Sequence, residues 1–145
     1  MAALGPTKKA SNDAAFNLGW LPNNHVSFSL KGNKGLGTNF YTPFQRNYAN
    51  DVTVPASFSS FEIVASENAT TVLITPRTAI TGHAANSTFS ITLNQGQSYS
   101  GRDMNVSAAT SLAGSIISAN KPVSVTIFEG SLQNGSCSDA IGDQI

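Results

Sequence analysis

The sequence is poor in charge and contains a single cysteine. Asp, Glu, Lys and Arg make up 11% of its 145 residues, and the eight basic side chains equal the eight acidic ones in number. Typical soluble proteins carry about 25% charged residues. The balance argues against nucleic-acid binding, because neutralising phosphates needs a cationic excess. Cys137 excludes an internal disulfide, and we interpret it as a small buried residue or as a thiol whose partner lies outside this chain.

Long apolar runs are also missing. Hydrophobic residues make up 40% of the chain but occur in short runs, far below the roughly 18 residues that a membrane-spanning helix needs. Lys8 and Lys9 follow a very short apolar stretch, which is the reverse of a secretory signal. We therefore predict no direct membrane insertion and find no signal peptide in this sequence.

The sequence contains no pattern typical of a catalytic or metal site. Neither His25 nor His83 has a carboxylate or a second histidine at a metal-ligand spacing. A Ser-His-Asp triad can assemble from distant positions, but the Gly-x-Ser-x-Gly motif is missing. Asp139 and Asp143 could supply calcium ligands at a loop, although the dense spacing of a calcium loop is missing and hydrogen bonding to turn amides is the alternative. We predict a protein with no enzymatic activity, no cofactor and no bound metal.

Serine, threonine and asparagine are abundant, and apolar residues alternate with them at period two, which is typical of half-buried strands. Segments with strand character are residues 26–30, 39–42, 60–65, 70–75, 89–93, 98–100, 114–118 and 123–128. These patterns predict an all-β protein with under about 10% helix, folded as a two-layer antiparallel β-sandwich. A closed barrel is the alternative.

Turn residues separate the predicted strands. The four-residue connection 66–69 and the turn signal at 94–97 each predict a hairpin. A turn is also predicted at 119–122, where Pro122 fixes φ and cannot donate a ladder hydrogen bond. We expect residues 1–24 to form an irregular or partial N-terminal segment and residues 25–145 to form the sandwich domain.

The apolar faces of the predicted strands define an expected core. Its members alternate with polar residues, so they should point to one side of each strand. They are Val26, Phe28, Leu30, Phe61, Ile63, Val72, Ile74, Phe89, Ile91, Leu93, Ile116, Val123, Val125 and Ile127.

Several segments resemble one known family in sequence and in order. They are residues 30–45 (LKGNKGLGTNFYTPFQ), 63–72 (IVASENATTV), 89–99 (FSITLNQGQSY), 112–125 (LAGSIISANKPVSV) and 142–144 (GDQ). Together they resemble the domain named after the N-terminal region of the IgG Fc-binding protein, over roughly residues 26–145.

The resemblance implies an extracellular β-rich domain of secreted mucus-associated proteins or of bacterial surface proteins, with no catalytic residues. It also leads us to expect that the chain is a fragment, cut at both ends, of a larger surface protein. The predicted function is adhesion or structural display. The alternatives are a carbohydrate-binding module and a self-assembling filament or shell subunit, in which exposed edge strands pair between copies of the chain.

The segment around residues 40–48 is the candidate partner-binding site. Tyr41, Arg46, Asn47 and Tyr48 combine flat aromatic area with directed hydrogen-bonding groups, which suits a protein or glycan partner on host, mucus or matrix surfaces. The structural alternative is that Phe40 and the nearby Phe44 are core residues and only the tyrosines face solvent.

Overall fold

The computed structural model describes residues 15–17, 27–29, 31–44, 58–105, 111–134 and 137–145. The elements are β1 (Ala15–Asn17), β2 (Ser27–Ser29), a 3₁₀ helix (Gly32–Gly35), β3 (Leu36–Tyr41), β4 (Ser59–Ala65), β5 (Thr70–Thr75), β6 (Phe89–Leu93), β7 (Ser98–Arg102), β8 (Ile116–Asn134) and β9 (Cys137–Gln144). The 3₁₀ turn is the only helical element among these residues. The prediction of an all-β protein is confirmed.

The sheet is organised around the long strand β8. All pairings are antiparallel, and the order is β6-β5-β8-β4-β7, with β3 and β9 also paired to β8. β5 pairs with the first part of β8, up to Ala119, and β4 pairs with the later part, from Val123. β1 and β2 form a separate two-stranded ribbon.

The sheet bends at a corner where three segments of chain pass from one half to the other. The segments are 66–69 between β4 and β5, 94–97 between β6 and β7, and 119–122 within β8. Arm 1 denotes β5, β6, the start of β8 and the end of β3; arm 2 denotes β4, β7, β9 and the rest of β8. Strands that change sheets through a bend or bulge are typical of packed β-layers.

Two predicted hairpins are therefore wrong. β4 does not pair with β5, and β6 does not pair with β7, because each of these strands pairs with a different neighbour in its own arm. The predicted turn at 119–122 is also wrong, since β8 is continuous there. The β3–β8 register shifts between Gly37 and Asn39, so the residues of β8 beside Pro122 form a bulge. Proline is tolerated at a bulge because no ladder hydrogen bond is needed from it there.

One core fills the space between the arms. Its fully buried side chains come from both arms and include Phe61, Ile63, Val72, Ile74, Val123 and Val125, as predicted. Leu93 is buried as well, and Phe89, Ile91 and Ile127 pack against the cluster while remaining partly exposed. The rings of Phe89 in arm 1 and Tyr99 in arm 2 lie 5.9 Å apart, so the inner faces of the arms meet.

Ile116 is the exception to the predicted core. It is 42% exposed, and the neighbouring Ile117 is completely buried instead. Two adjacent strand residues point to opposite faces, so only one isoleucine of the pair can reach the core. Val26, Phe28 and Leu30 lie outside the residues whose side chains the structure describes.

Candidate interaction surface

The outer face of arm 1 carries no charged side chain. Its residues alternate with the buried ones along four neighbouring strands, and all of them are at least partly exposed. We call this surface the neutral face, and it consists of Asn39, Tyr41, Thr71, Leu73, Thr75, Ser90, Thr92, Ile116 and Ser118.

Three large apolar side chains lie together on the neutral face. Tyr41 is 71% exposed, Leu73 47% and Ile116 42%. Tyr41 is the cross-strand partner of Ile116, so their Cβ atoms are about 4.5–5.5 Å apart. Leu73 pairs with Ser118, two residues further along β8, which places it diagonal to Ile116. Hydroxyl and amide groups surround this apolar area.

A shallow cavity opens between the apolar residues and the corner. Its volume is about 250 Å³, and it is lined by Thr71, Leu73, Ser118, Ala119 and Asn120. The Asn120 side-chain oxygen accepts a hydrogen bond of 2.8 Å from the Thr71 backbone N–H. Within the described part of the chain, the hydroxyl groups of Thr71 and Ser118 have no hydrogen-bond partner, so a ligand could bond to them.

The site expected from sequence overlaps this surface at one residue. Tyr41 projects from β3 onto the neutral face, whereas Arg46, Asn47 and Tyr48 lie outside the described residues. Phe40 and Phe44 pack against the core, as the structural alternative proposed. Sequence reasoning missed Leu73, although its position between two inward-facing residues of an alternating strand indicates that it points outward.

Three further polar side chains pack within the fold. Asp103 is 4% exposed, and burial raises the pKa of its carboxyl group. Hydrogen bonds from the Asn105 backbone N–H at 2.9 Å and from the Ser59 hydroxyl at 3.4 Å oppose the rise. The His83 ring stacks on Phe89 with centroids 3.4 Å apart. Burial likewise raises the pKa of the Tyr99 hydroxyl.

The hypothesised calcium loop is part of a strand. Residues 139 and 143 both lie in β9, four residues apart, so their Cα atoms are about 13 Å apart along a strand that rises about 3.3 Å per residue. This extended backbone is unlike the tight loop that gathers the ligands of a calcium ion. Among the described residues, no group of three or more His, Cys, Asp or Glu side chains is placed to hold a metal ion.

The segments that carry the family resemblance build the corner. The Ala69 backbone N–H donates to the Asn94 side chain at 3.2 Å, and the Gln95 N–H donates to the Asn68 side chain at 3.1 Å. Lys121 Nζ donates to the Asn68 carbonyl at 2.6 Å. The connections 66–69, 94–97 and 119–122 are thus tied to one another by side chains.

The other resembling segments bring the 3₁₀ turn, β8 and β9 together, and we call the contacts among these three elements the second joint. The Gln144 side chain, 4% exposed, accepts from the Lys31 backbone N–H and donates to Ser124 Oγ at 2.9 Å. A Cβ atom at Gly35 would lie 2.5 Å from Gln144 Nε2, so any larger residue there would have to displace the Gln144 amide. Asp143 Oδ2 also pairs with Lys31 Nζ at 3.4 Å. These residues brace the 3₁₀ turn against β8 and β9.

The fold is that of an antiparallel β-rich domain. A family model, that of the IgGFc binding protein, matches residues 26–145. The chain therefore belongs to the IgGFc binding protein family, a family of binding domains named for a protein partner. No curated protein and no solved structure matches the chain. Within the described residues, no helix has the length and apolar character needed to span a membrane.

Proposed function

We propose that this chain is a non-enzymatic module of an extracellular or cell-surface protein, of the bacterial surface-protein branch of the family, and that it serves adhesion or structural display. The observation that carries the proposal is the neutral face, where exposed Tyr41, Leu73 and Ile116 lie together. Exposed apolar patches rimmed by polar groups mark interaction sites. Family membership supports a binding role.

The composition of the neutral face favours an uncharged patch on a protein partner. Aromatic and aliphatic anchors supply most of the binding energy in protein interfaces, and the core of such interfaces is depleted of charge. A charged partner group placed against Leu73 or Ile116 would lose its hydration without gaining an opposite charge. The expected partners are mucin, matrix or host-surface proteins.

The test compares two exposed apolar positions on the two arms. The double variant Tyr41→Ala, Leu73→Ser removes the anchors of the neutral face, and Val64→Ser changes a residue on arm 2 that is 39% exposed. Binding of the whole chain to immobilised mucin and to matrix proteins is measured by surface plasmon resonance. We expect the double variant to bind at least about fivefold more weakly, since truncating an anchor costs more than about 1 kcal/mol. Equal weakening by Val64→Ser would refute the assignment to this face.

Carbohydrate binding is the second candidate, and the cavity beside Leu73 favours it. Thr71, Ser118 and Asn120 offer hydroxyl and amide groups to a neutral sugar. None of the residues that line the cavity is aromatic, so the ring stacking common in sugar recognition would have to come from Tyr41 further along the face. Competition of mucin binding by free neutral monosaccharides, lost in Ser118→Ala, would favour this candidate over a protein partner.

A further inference from the structure

The strand β6 lies at the edge of arm 1. It pairs with β5 along its whole length, from Leu93 opposite Thr70 to Phe89 opposite Ile74. None of the described residues pairs with its other edge. An exposed edge presents unpaired N–H and C=O groups to any further strand.

β7, the corresponding strand of arm 2, is protected at its end. The Thr81 backbone N–H donates to the Arg102 carbonyl at 3.1 Å, and the Met104 N–H donates to the Ala79 carbonyl at 3.1 Å. Arg102 also places a charge on this edge. A charged side chain and a covering loop are two devices that block unwanted strand pairing.

β6 has neither charge nor proline nor bulge. Residues 78–101 contain no Asp, Glu, Lys or Arg, and β6 lies inside this stretch. Its register with β5 is uninterrupted. The His83 ring already covers one face of Phe89, whereas Ile91 points toward the core but stays partly exposed at the edge, so a further strand would cover it.

The sequence of β6 is complementary to itself in an antiparallel arrangement. With a two-fold axis at Ile91, Phe89 of one copy lies opposite Leu93 of the other, and Ser90 lies opposite Thr92. Apolar side chains then meet on the inner side and hydroxyl groups on the outer side. No like charges face each other in this register.

We propose that the outer edge of β6 pairs with β6 of a second copy of this chain, so that arm 1 of both copies forms one continuous sheet. This proposal goes beyond the neutral face and its partner. It would place two neutral faces side by side on the same sheet, because residues of equal parity stay on the same side across the pairing. The dimer would then present a bivalent binding surface.

Sedimentation velocity of the whole chain over a wide concentration range tests this pairing. The unmodified protein should show a monomer–dimer equilibrium, and Thr92→Lys should shift it to monomer because two added charges would lie in the new ladder. Ser100→Lys adds the same charge to the outer side of β7 and should leave the dimer intact. A monomer at every concentration, an unaffected Thr92→Lys dimer, or equal loss in Ser100→Lys would each overturn the proposal.

Disulfide trapping gives a second readout that does not depend on a destabilising charge. In a Cys137→Ser background, Ile91→Cys places identical residues opposite each other at the two-fold axis, with Cβ atoms about 4.5–5.5 Å apart, close enough to be bridged. Oxidation should give a covalent dimer. Ser98→Cys, at the start of β7, should stay monomeric. Trapping at Ser98 but not at Ile91 would place the contact on arm 2 and refute the pairing through β6.

Discussion

The two arms bury the same kind of residue inside but differ on their outer faces. On arm 2, Gln144 is covered by the 3₁₀ turn, and the Arg102 guanidinium lies 3.7 Å from the centroid of the Phe58 ring. Glu62 lies on the same outer face. On arm 1 the outer face is bare and uncharged, and Tyr41 and Ile116 are exposed side by side.

This difference separates residues that maintain the fold from residues that are free to bind. On arm 2 and at the corner, Gln144, Asn68 and Asn94 have hydrogen-bond partners within the chain, so their substitution should change stability. On the neutral face, the Ser118 and Thr71 hydroxyls have no such partner among the described residues, so their substitution should change binding and leave stability nearly unchanged.

The largest difference between the arms is expected in the unfolding free energy that is lost when a core side chain is truncated. Phe61 in arm 2 is completely buried and packs so closely against β7 that a Cβ at Gly101 would overlap its ring. Ile91 is partly exposed at the free edge of arm 1. Phe61→Ala should cost about 3–5 kcal/mol of unfolding free energy, and Ile91→Ala about 2 kcal/mol or less. Urea denaturation measures both values, and equal losses would show that β6 is as enclosed as β4.

A smaller difference in lost unfolding free energy is expected between the truncation of a buried glutamine and that of an exposed one. Gln144→Ala leaves the Lys31 backbone N–H and the Ser124 hydroxyl without their partner in a covered place, which should cost about 1–3 kcal/mol. Gln97 accepts from the Asn94 N–H at 2.7 Å but is exposed, so water can replace it. Gln97→Ala is therefore the matched control, and its unfolding free energy should fall by less. A larger loss in Gln97→Ala than in Gln144→Ala would contradict the structural role of the second joint.

Sequence alternation predicted the strands of both arms well, because the period of two follows directly from backbone geometry. β5, for example, has the predicted bounds, Thr70–Thr75. The path through the corner could not be predicted, since a four-residue connection such as 66–69 fits a hairpin as well as a bend between layers. What decides between them is pairing with β8, which lies more than 45 residues later in the chain.

The candidate site was harder to predict than the fold. Tyr41 was predicted because aromatic residues cluster near it in sequence, but Leu73 and Ile116 lie beside it on two other strands. The outward direction of Ile116 depends on which isoleucine of the pair Ile116–Ile117 points inward, and both orientations preserve alternation. Sheet register, rather than local sequence, assembles the neutral face.

The pH dependence of stability should report on a buried carboxyl group at the end of β7. Burial raises the pKa of Asp103 in the folded state above its ordinary value of 3.8. At pH values between the ordinary pKa and the raised one, the folded state therefore binds more protons than the unfolded state. The unfolding free energy attributable to this group therefore falls as pH rises through that window. Asp103→Asn should remove this dependence and be at least as stable as the unmodified chain at neutral pH. If the difference in unfolding free energy between Asp103→Asn and the unmodified chain stays constant from acid to neutral pH, the pKa of Asp103 is not raised.

The smallest predicted difference in unfolding free energy is between substitutions on the outer faces of the two arms. Arg102→Ala removes a cation–π contact with Phe58, which at an exposed site is worth about 0.5–1 kcal/mol. Tyr41→Ala on the neutral face removes a side chain that is 71% exposed, so the unfolding free energy should change by less than about 0.5 kcal/mol. Arg102→Lys keeps the positive charge but loses the planar group that lies over the ring, and it should fall between the alanine variant and the unmodified chain. If Tyr41→Ala destabilises the chain more than Arg102→Ala does, Tyr41 maintains the fold, and the binding role of the neutral face would have to rest on Leu73 and Ile116 alone.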